Sequence, residues 1–171
     1  ILRIWPLYFI CLVIGFFGYP ILKSFTGEMS SETANIYYYI SFWSNFDIIK
    51  NGLPDASILG ALWSIAIEEQ FYLIWPIFLY FTPIKKFWVI PSFFIVSSIV
   101  FRVYNANYKA IEFHSLSCIG DLSIGALIAW LVFSKKTFIS YIERLSATFI
   151  YSVYSLAILL FFFRDDLGAF A

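Results

Sequence analysis

The chain has 171 residues, of which 61% are hydrophobic, 23% aromatic and only 13% charged, with a formal net charge of zero at pH 7. An apolar share this far above that of a soluble domain marks an integral membrane protein, and the expected fold is all-α, a polytopic transmembrane helix bundle set in a lipid bilayer. The balanced charge offers no basic surface for nucleic acid, and a single His beside two Cys excludes a zinc constellation, so no metal is expected.

About five spans are expected, near 4–22, 60–82, 87–104, 116–133 and 147–163, with an outer loop over 23–58. All of 1–171 reads as part of one transmembrane domain, and as a fragment of a longer protein. Arg3 opens the first span, and Pro6 falls in its first turn, where a missing N–H is tolerated. Arg3 is either a positive-inside anchor or, through its planar fork, a binder of phosphate oxyanions. Cys11 and Cys118 both lie in apolar segments and read as buried free thiols.

In the long loop, 34–49 holds Tyr37, Tyr38, Tyr39, Phe42, Trp43 and Phe46, interrupted by Ser, Asn and Asp. It is too polar to span, and an interfacial or re-entrant helix is expected. Within it Asn45 is either a structural amide or a substrate contact.

The second span carries the stretch at 62–76, LWSIAIEEQFYLIWP. Glu68 and Glu69 lie roughly 12 Å along this helix, at a depth where ionisable groups are costly and read first as functional. At 100° per residue Ser64, Glu68, Tyr72 and Glu69 share an arc of about 140°, with Gln70 on another side. Such an arc must face other helices or a wet cavity. Adjacent carboxylates resist joint ionisation, which suits proton transfer, although an inert hydrogen-bonded pair stays open. Glu68, at the centre of the arc, is the first choice of the two.

His114 lies in the short polar loop before the fourth span. Asp121, with Gly120 and Gly125 beside it, reads as a polar contact between closely packed helices. Arg102, near the outer end of the third span, is a candidate partner for Glu68 or Glu69. The lysine pairs Lys85–Lys86 and Lys135–Lys136 sit in short loops and place those loops, with Arg3, in the cytoplasm.

The stretch LWSIAIEEQFYLIWP resembles the signature of the acyltransferase-3 family of multi-pass membrane O-acyltransferases, close to W-S-x-x-x-E-E-Q-F-Y-x-x-W-P. Trp63, Ser64, Glu68, Glu69, Gln70, Phe71, Tyr72, Trp75 and Pro76 carry the match. Arg3, Ile4, Pro6 and Tyr8 are similar to the family's R-I-x-P-x-Y segment, and Asp121, Leu122, Gly125 and Ala129 to its D-L-x-x-G-x-x-x-A stretch. The resemblance implies transfer of an acyl group, most often acetyl, from acyl-CoA to a hydroxyl of a cell-surface carbohydrate or lipid-linked sugar. It also implies a place in the bacterial cytoplasmic membrane.

On this reading Glu68 and Glu69 are catalytic and Arg3 holds the acyl-CoA donor, while Ser64, Tyr72, Asn45 and His114 bind substrate. The family's catalytic His is expected on a span upstream of this fragment, so His114 is not that residue. A proton- or ion-coupled transporter segment is the rival reading, since intramembrane acids also mark ion paths. No paired motif in two halves supports it.

Overall fold

A computed structural model describes residues 4–27, 29 and 31–163. Every regular element among them is helical. Among the described residues three helices are long and apolar enough to cross a membrane, at Trp5–Thr26, Ile84–Tyr104 and Tyr108–Ser134. Of the five expected spans, those on the signature helix and on Ala147–Phe162 do not meet that measure. The signature helix carries two carboxylates and a Gln, and the last apolar helix is short.

The chain divides into two units, Ile1–Ile128 and Ala129–Ala171. In the first, α1 (Trp5–Val13) continues through a single π-helical stretch, Ile14–Gly18, into α2 (Tyr19–Thr26). The helix stops at Gly27, whose φ of 78° ends it in the left-handed conformation. It runs four residues past the expected boundary. The π stretch is where α5 (Ser57–Gly60) comes closest: a Cβ on Gly15 would lie 2.5 Å from Leu59 Cγ. Glycine is therefore needed there, and π-bulges commonly mark such local adjustments.

The expected outer loop is a folded hairpin. α3 (Ile36–Ile40), capped by the Asn35 side chain on Tyr37 N at 3.0 Å, runs along α1. The Tyr8 hydroxyl donates to the Tyr39 carbonyl at 2.7 Å. The tip at Phe42 packs on Trp5 and Tyr8, with ring centroids 5.5 and 4.7 Å away. α4 (Ser44–Asn51) returns, and Asp55 then pairs with Lys23 at 2.8 Å. Trp5 and Lys23 are eighteen residues apart, roughly 27 Å of helix. The hairpin and the segment after it therefore follow most of the first apolar helix.

Non-helical backbone packed against an apolar helix needs partners inside the protein. Buried or half-buried acids supply them. Glu32 accepts from the backbone N–H of Ala34, Asp55 and Ala56 at 3.0, 3.3 and 3.0 Å. Asp47, 1% exposed, accepts from Asn35 N at 2.9 Å and from Asn51 Nδ2 at 2.7 Å. Tyr8, Leu12, Tyr39, Ala56, Leu59 and Leu62 form the packed core between hairpin and helix. In a bilayer such packing, rather than expulsion of water, is the cohesive force.

α6 (Trp63–Phe81) is the signature helix, within the expected 60–82. Pro76 lies inside it and has no N–H to give the Tyr72 carbonyl one turn before. α7 (Val89–Tyr104) follows a short 3₁₀ turn at Ile84–Lys86. α8 (Tyr108–Phe113), capped by Asn107, leads through His114 into α9 (Ser115–Ser134). The fourth apolar helix therefore starts earlier than 116. α7 and α9 cross closely: a Cβ on Gly120 would lie 2.6 Å from the Ser98 side chain. In the second unit, α10 (Lys136–Glu143) precedes α11 (Ala147–Phe162), which the Ser146 hydroxyl caps on Phe149 N at 3.2 Å.

Candidate functional site

The signature helix meets the hairpin tip through Gln70. Its Nε2 donates to the Phe42 carbonyl at 2.7 Å and to Asn45 Oδ1 at 3.0 Å, and its Oε1 accepts from the Ser115 hydroxyl. Asn45 is fully buried and completes the network, donating from Nδ2 to the Phe113 carbonyl and to Ser115 Oγ, both at 3.0 Å. Two amides and a hydroxyl thus join hairpin, α6 and the start of α9. Satisfied networks of this kind rigidify a low-dielectric interior.

The tip is strained. Phe42 has a φ of 58°, the only positive φ on a described residue other than glycine. For a bulky side chain this region is an outlier costing about 1–3 kcal/mol, and it persists only where surroundings over-determine it. The Gln70 bond and the rings of Trp5, Tyr8 and Phe9 supply that constraint.

Tip and helix flank an open-sided cavity of about 480 Å³. Trp5, Phe42 and Trp43 wall one side, and Glu69, Gln70 and Tyr72 the other. It is mostly apolar, with one carboxylate at its edge, the make-up of small-molecule sites. The buried indole N–H of Trp5 has no hydrogen-bond partner among the described residues.

Of the expected site residues, Glu69 and Tyr72 meet at this cavity. Glu68 is half-buried on the same helix but does not line it. Among the described residues neither carboxylate has a hydrogen bond or an ion pair. Ser64 lies near the start of α6, within 3.4 Å of the Ala61 carbonyl through its hydroxyl. Asn45 has both ends of its amide taken by protein groups, the arrangement of a structural amide, and a substrate would have to open those bonds. His114 is wedged between Phe46 and Phe101, with ring centroids 5.0 and 4.7 Å away, and its Nδ1 accepts from Leu116 N at 3.1 Å. Arg3 lies outside the described residues.

Arg102 does not pair with the signature acids. Its Nη2 holds Asp121 at 2.8 Å and the Ser117 carbonyl at 2.9 Å, and its Nε donates to Ser117 Oγ at 2.9 Å. The antiparallel run of α7 brought Arg102 to a suitable depth, but α9 is the helix that faces it. Asp121 is thus a polar contact between helices, as expected from its glycine-flanked setting. No group of three His, Cys, Asp or Glu among the described residues is placed to hold a metal ion.

Two curated relatives match part of the chain. Peptidoglycan O-acetyltransferase OatA of Listeria monocytogenes serovar 1/2a is 46% identical over 68 residues, covering 37% of this chain and 10% of its own length. YrhL of Bacillus subtilis strain 168, provisionally assigned as a peptidoglycan O-acetyltransferase, is 37% identical over 65 residues, with the same two coverages. The chain therefore matches about a tenth of the length of each. No family model matches it, and no solved structure does.

Sequence reasoning missed Gln70 and Phe42. The signal available for Gln70 was a second uncharged amide, besides Asn45, in an apolar setting. Nothing local in the sequence marks the left-handed tip.

Proposed function

We propose that this chain is part of a membrane O-acyltransferase. It moves an acyl group, acetyl in the first place, from cytosolic acyl-CoA to a hydroxyl of a cell-surface carbohydrate. Peptidoglycan, named for its relatives, is the leading acceptor. The observation that carries this reading is Glu69, a half-buried carboxylate of the signature helix on the wall of a mostly apolar cavity between that helix and the hairpin tip.

In the reaction the acceptor hydroxyl oxygen attacks the thioester carbonyl carbon. The C–S bond breaks, the thiolate leaves with the electron pair, and a base takes the hydroxyl proton. The base is the His expected on an upstream span. A nearby carboxylate orients such an imidazole and stabilises the imidazolium that forms, and in this reading Glu69 takes that role. An Arg such as Arg3, expected at the inner end of the first span, suits the donor's phosphates. Acetyltransferase relatives support this reading over the transporter alternative.

The test compares O-acetyl ester in surface glycan, peptidoglycan included, from cells with the intact gene, without it, and complemented. Loss on deletion with recovery on complementation is expected. Equal ester content in all three overturns the reading.

A further inference from the structure

α10 begins where an apolar span ends. Only Lys135, in extended conformation, separates it from α9, which closes a helix long and apolar enough to cross a membrane. One residue reaches at most about 3.6 Å, so the first turn of α10 lies beside the end of that span. Arg144, Leu145 and Ser146 then lead into the apolar helix α11. A helix held this closely between two apolar helices has little room to leave the membrane surface.

Its two faces differ. At 100° per residue Tyr141, Phe138, Ile142 and Ile139 share an arc of about 160°, and Ser140 and Glu143 fall opposite. Tyr141 and Ile142 are 72% and 47% exposed, so the described protein leaves the apolar face open. Eight residues are too few for a stable helix in water by themselves. The face therefore needs a cover, and charge identifies it. Over 135–144 three cations, Lys135, Lys136 and Arg144, stand against one acid, Glu143. A second copy of this face would bring like charges together, which opposes pairing.

We propose that α10 is an interfacial anchor that lies along the membrane surface. Its apolar face enters the boundary between headgroups and acyl chains, and its flanking cations meet anionic lipid headgroups. A free helix of this length would hold a surface weakly. Tethered at both ends, α10 meets the surface at high effective concentration, so a small apolar face suffices. Each Lys or Arg beside an anionic surface favours the bound form by about fivefold. The long stems of these side chains reach headgroups while the helix body stays lower. This holds whichever reaction the protein performs.

The experiment uses the full-length protein, its native cysteines replaced, in vesicles of phosphatidylcholine alone or mixed equally with phosphatidylglycerol. Nitroxide labels on Ser140→Cys, Tyr141→Cys, Ile142→Cys and Glu143→Cys are read by collision with oxygen, which concentrates in lipid, and with a water-soluble nickel chelate. Labels at 141 and 142 should favour oxygen, and labels at 140 and 143 nickel. The contrast between 142 and 140 should be sharper in the anionic vesicles. There Arg144→Gln should lower the surface-bound fraction relative to the free one by about fivefold, with no change in neutral vesicles. Nickel access at all four positions would place α10 in water and overturn the inference. Little collision with either reagent at 141 and 142 would bury the face in protein or in a second copy, and overturns it equally. Equal contrast in both vesicles, unmoved by Arg144→Gln, overturns the choice of anionic lipid as partner.

Discussion

Asn45 Oδ1 accepts from Gln70 Nε2 at 3.0 Å, tying the hairpin to the signature helix across 25 residues of chain. Truncation to Asn45→Ala leaves the Phe113 carbonyl and part of the Gln70 amide without partners in a buried place. Each unsatisfied buried group costs about 1–3 kcal/mol. Thermal unfolding of the full-length protein in detergent should shift clearly downward for Asn45→Ala. An unchanged midpoint would mean that the network does not hold the hairpin.

The expected fold and the observed one differ where contacts are long-range. Apolar runs announce spans because a bilayer demands about 20 such residues, and α6 and α7 lie close to the expected limits. That the segment would be helical but not a span was legible from its aromatic, interrupted composition. Its docking on α1 was not, because Tyr8, Phe42 and Asp55 carry no local sign of one another. The helical arc set Gln70 apart from Glu69 and Tyr72, yet all three line one cavity, and Glu68 at the arc's centre does not. The arc could not say which side the hairpin would occupy, and so it passed over Gln70. Arg102 was misassigned for the same reason: sequence gives depth along a helix more readily than the neighbour it faces.

Arg102 makes three bonds to α9, and Asp121 receives only one of them. Arg102→Ala should therefore lower stability more than Asp121→Ala. The side chains are 41% and 66% exposed, and pairs this exposed couple by about 0–1 kcal/mol, less at high salt. A double-mutant cycle at low and high salt measures the coupling. Equal losses from the two single variants would show that the Ser117 bonds contribute nothing.

Orientation follows from the lysine pairs. Lys85 lies in the short turn before α7 and exposed Lys135 at the start of α10, whereas exposed Lys50 closes α4. In a background with Cys11 and Cys118 replaced, Lys85→Cys and Lys135→Cys should resist an impermeant maleimide in intact cells and react after permeabilisation. Lys50→Cys should react in intact cells. The opposite pattern reverses the map and moves the expected donor side with it.

The two signature carboxylates should separate by function. The helical arc favours Glu68, with Ser64 one turn before it and Tyr72 one turn after. The fold favours Glu69, which shares the cavity wall with Tyr72, while Glu68 lies off that wall. Glutamine keeps the volume of either side chain and removes its charge. If Glu69 stabilises a developing imidazolium, Glu69→Gln should reduce acyl transfer by a factor on the order of 10²–10³, and Glu68→Gln by much less. The readout is acetyl ester in surface glycan per membrane-inserted protein, with the full-length variants expressed in cells lacking the native gene. A large loss from Glu68→Gln beside a small one from Glu69→Gln would return the catalytic role to the centre of the arc. Wild-type rates in both variants, with normal insertion, would leave the pair as structural groups and place the chemistry elsewhere in the protein.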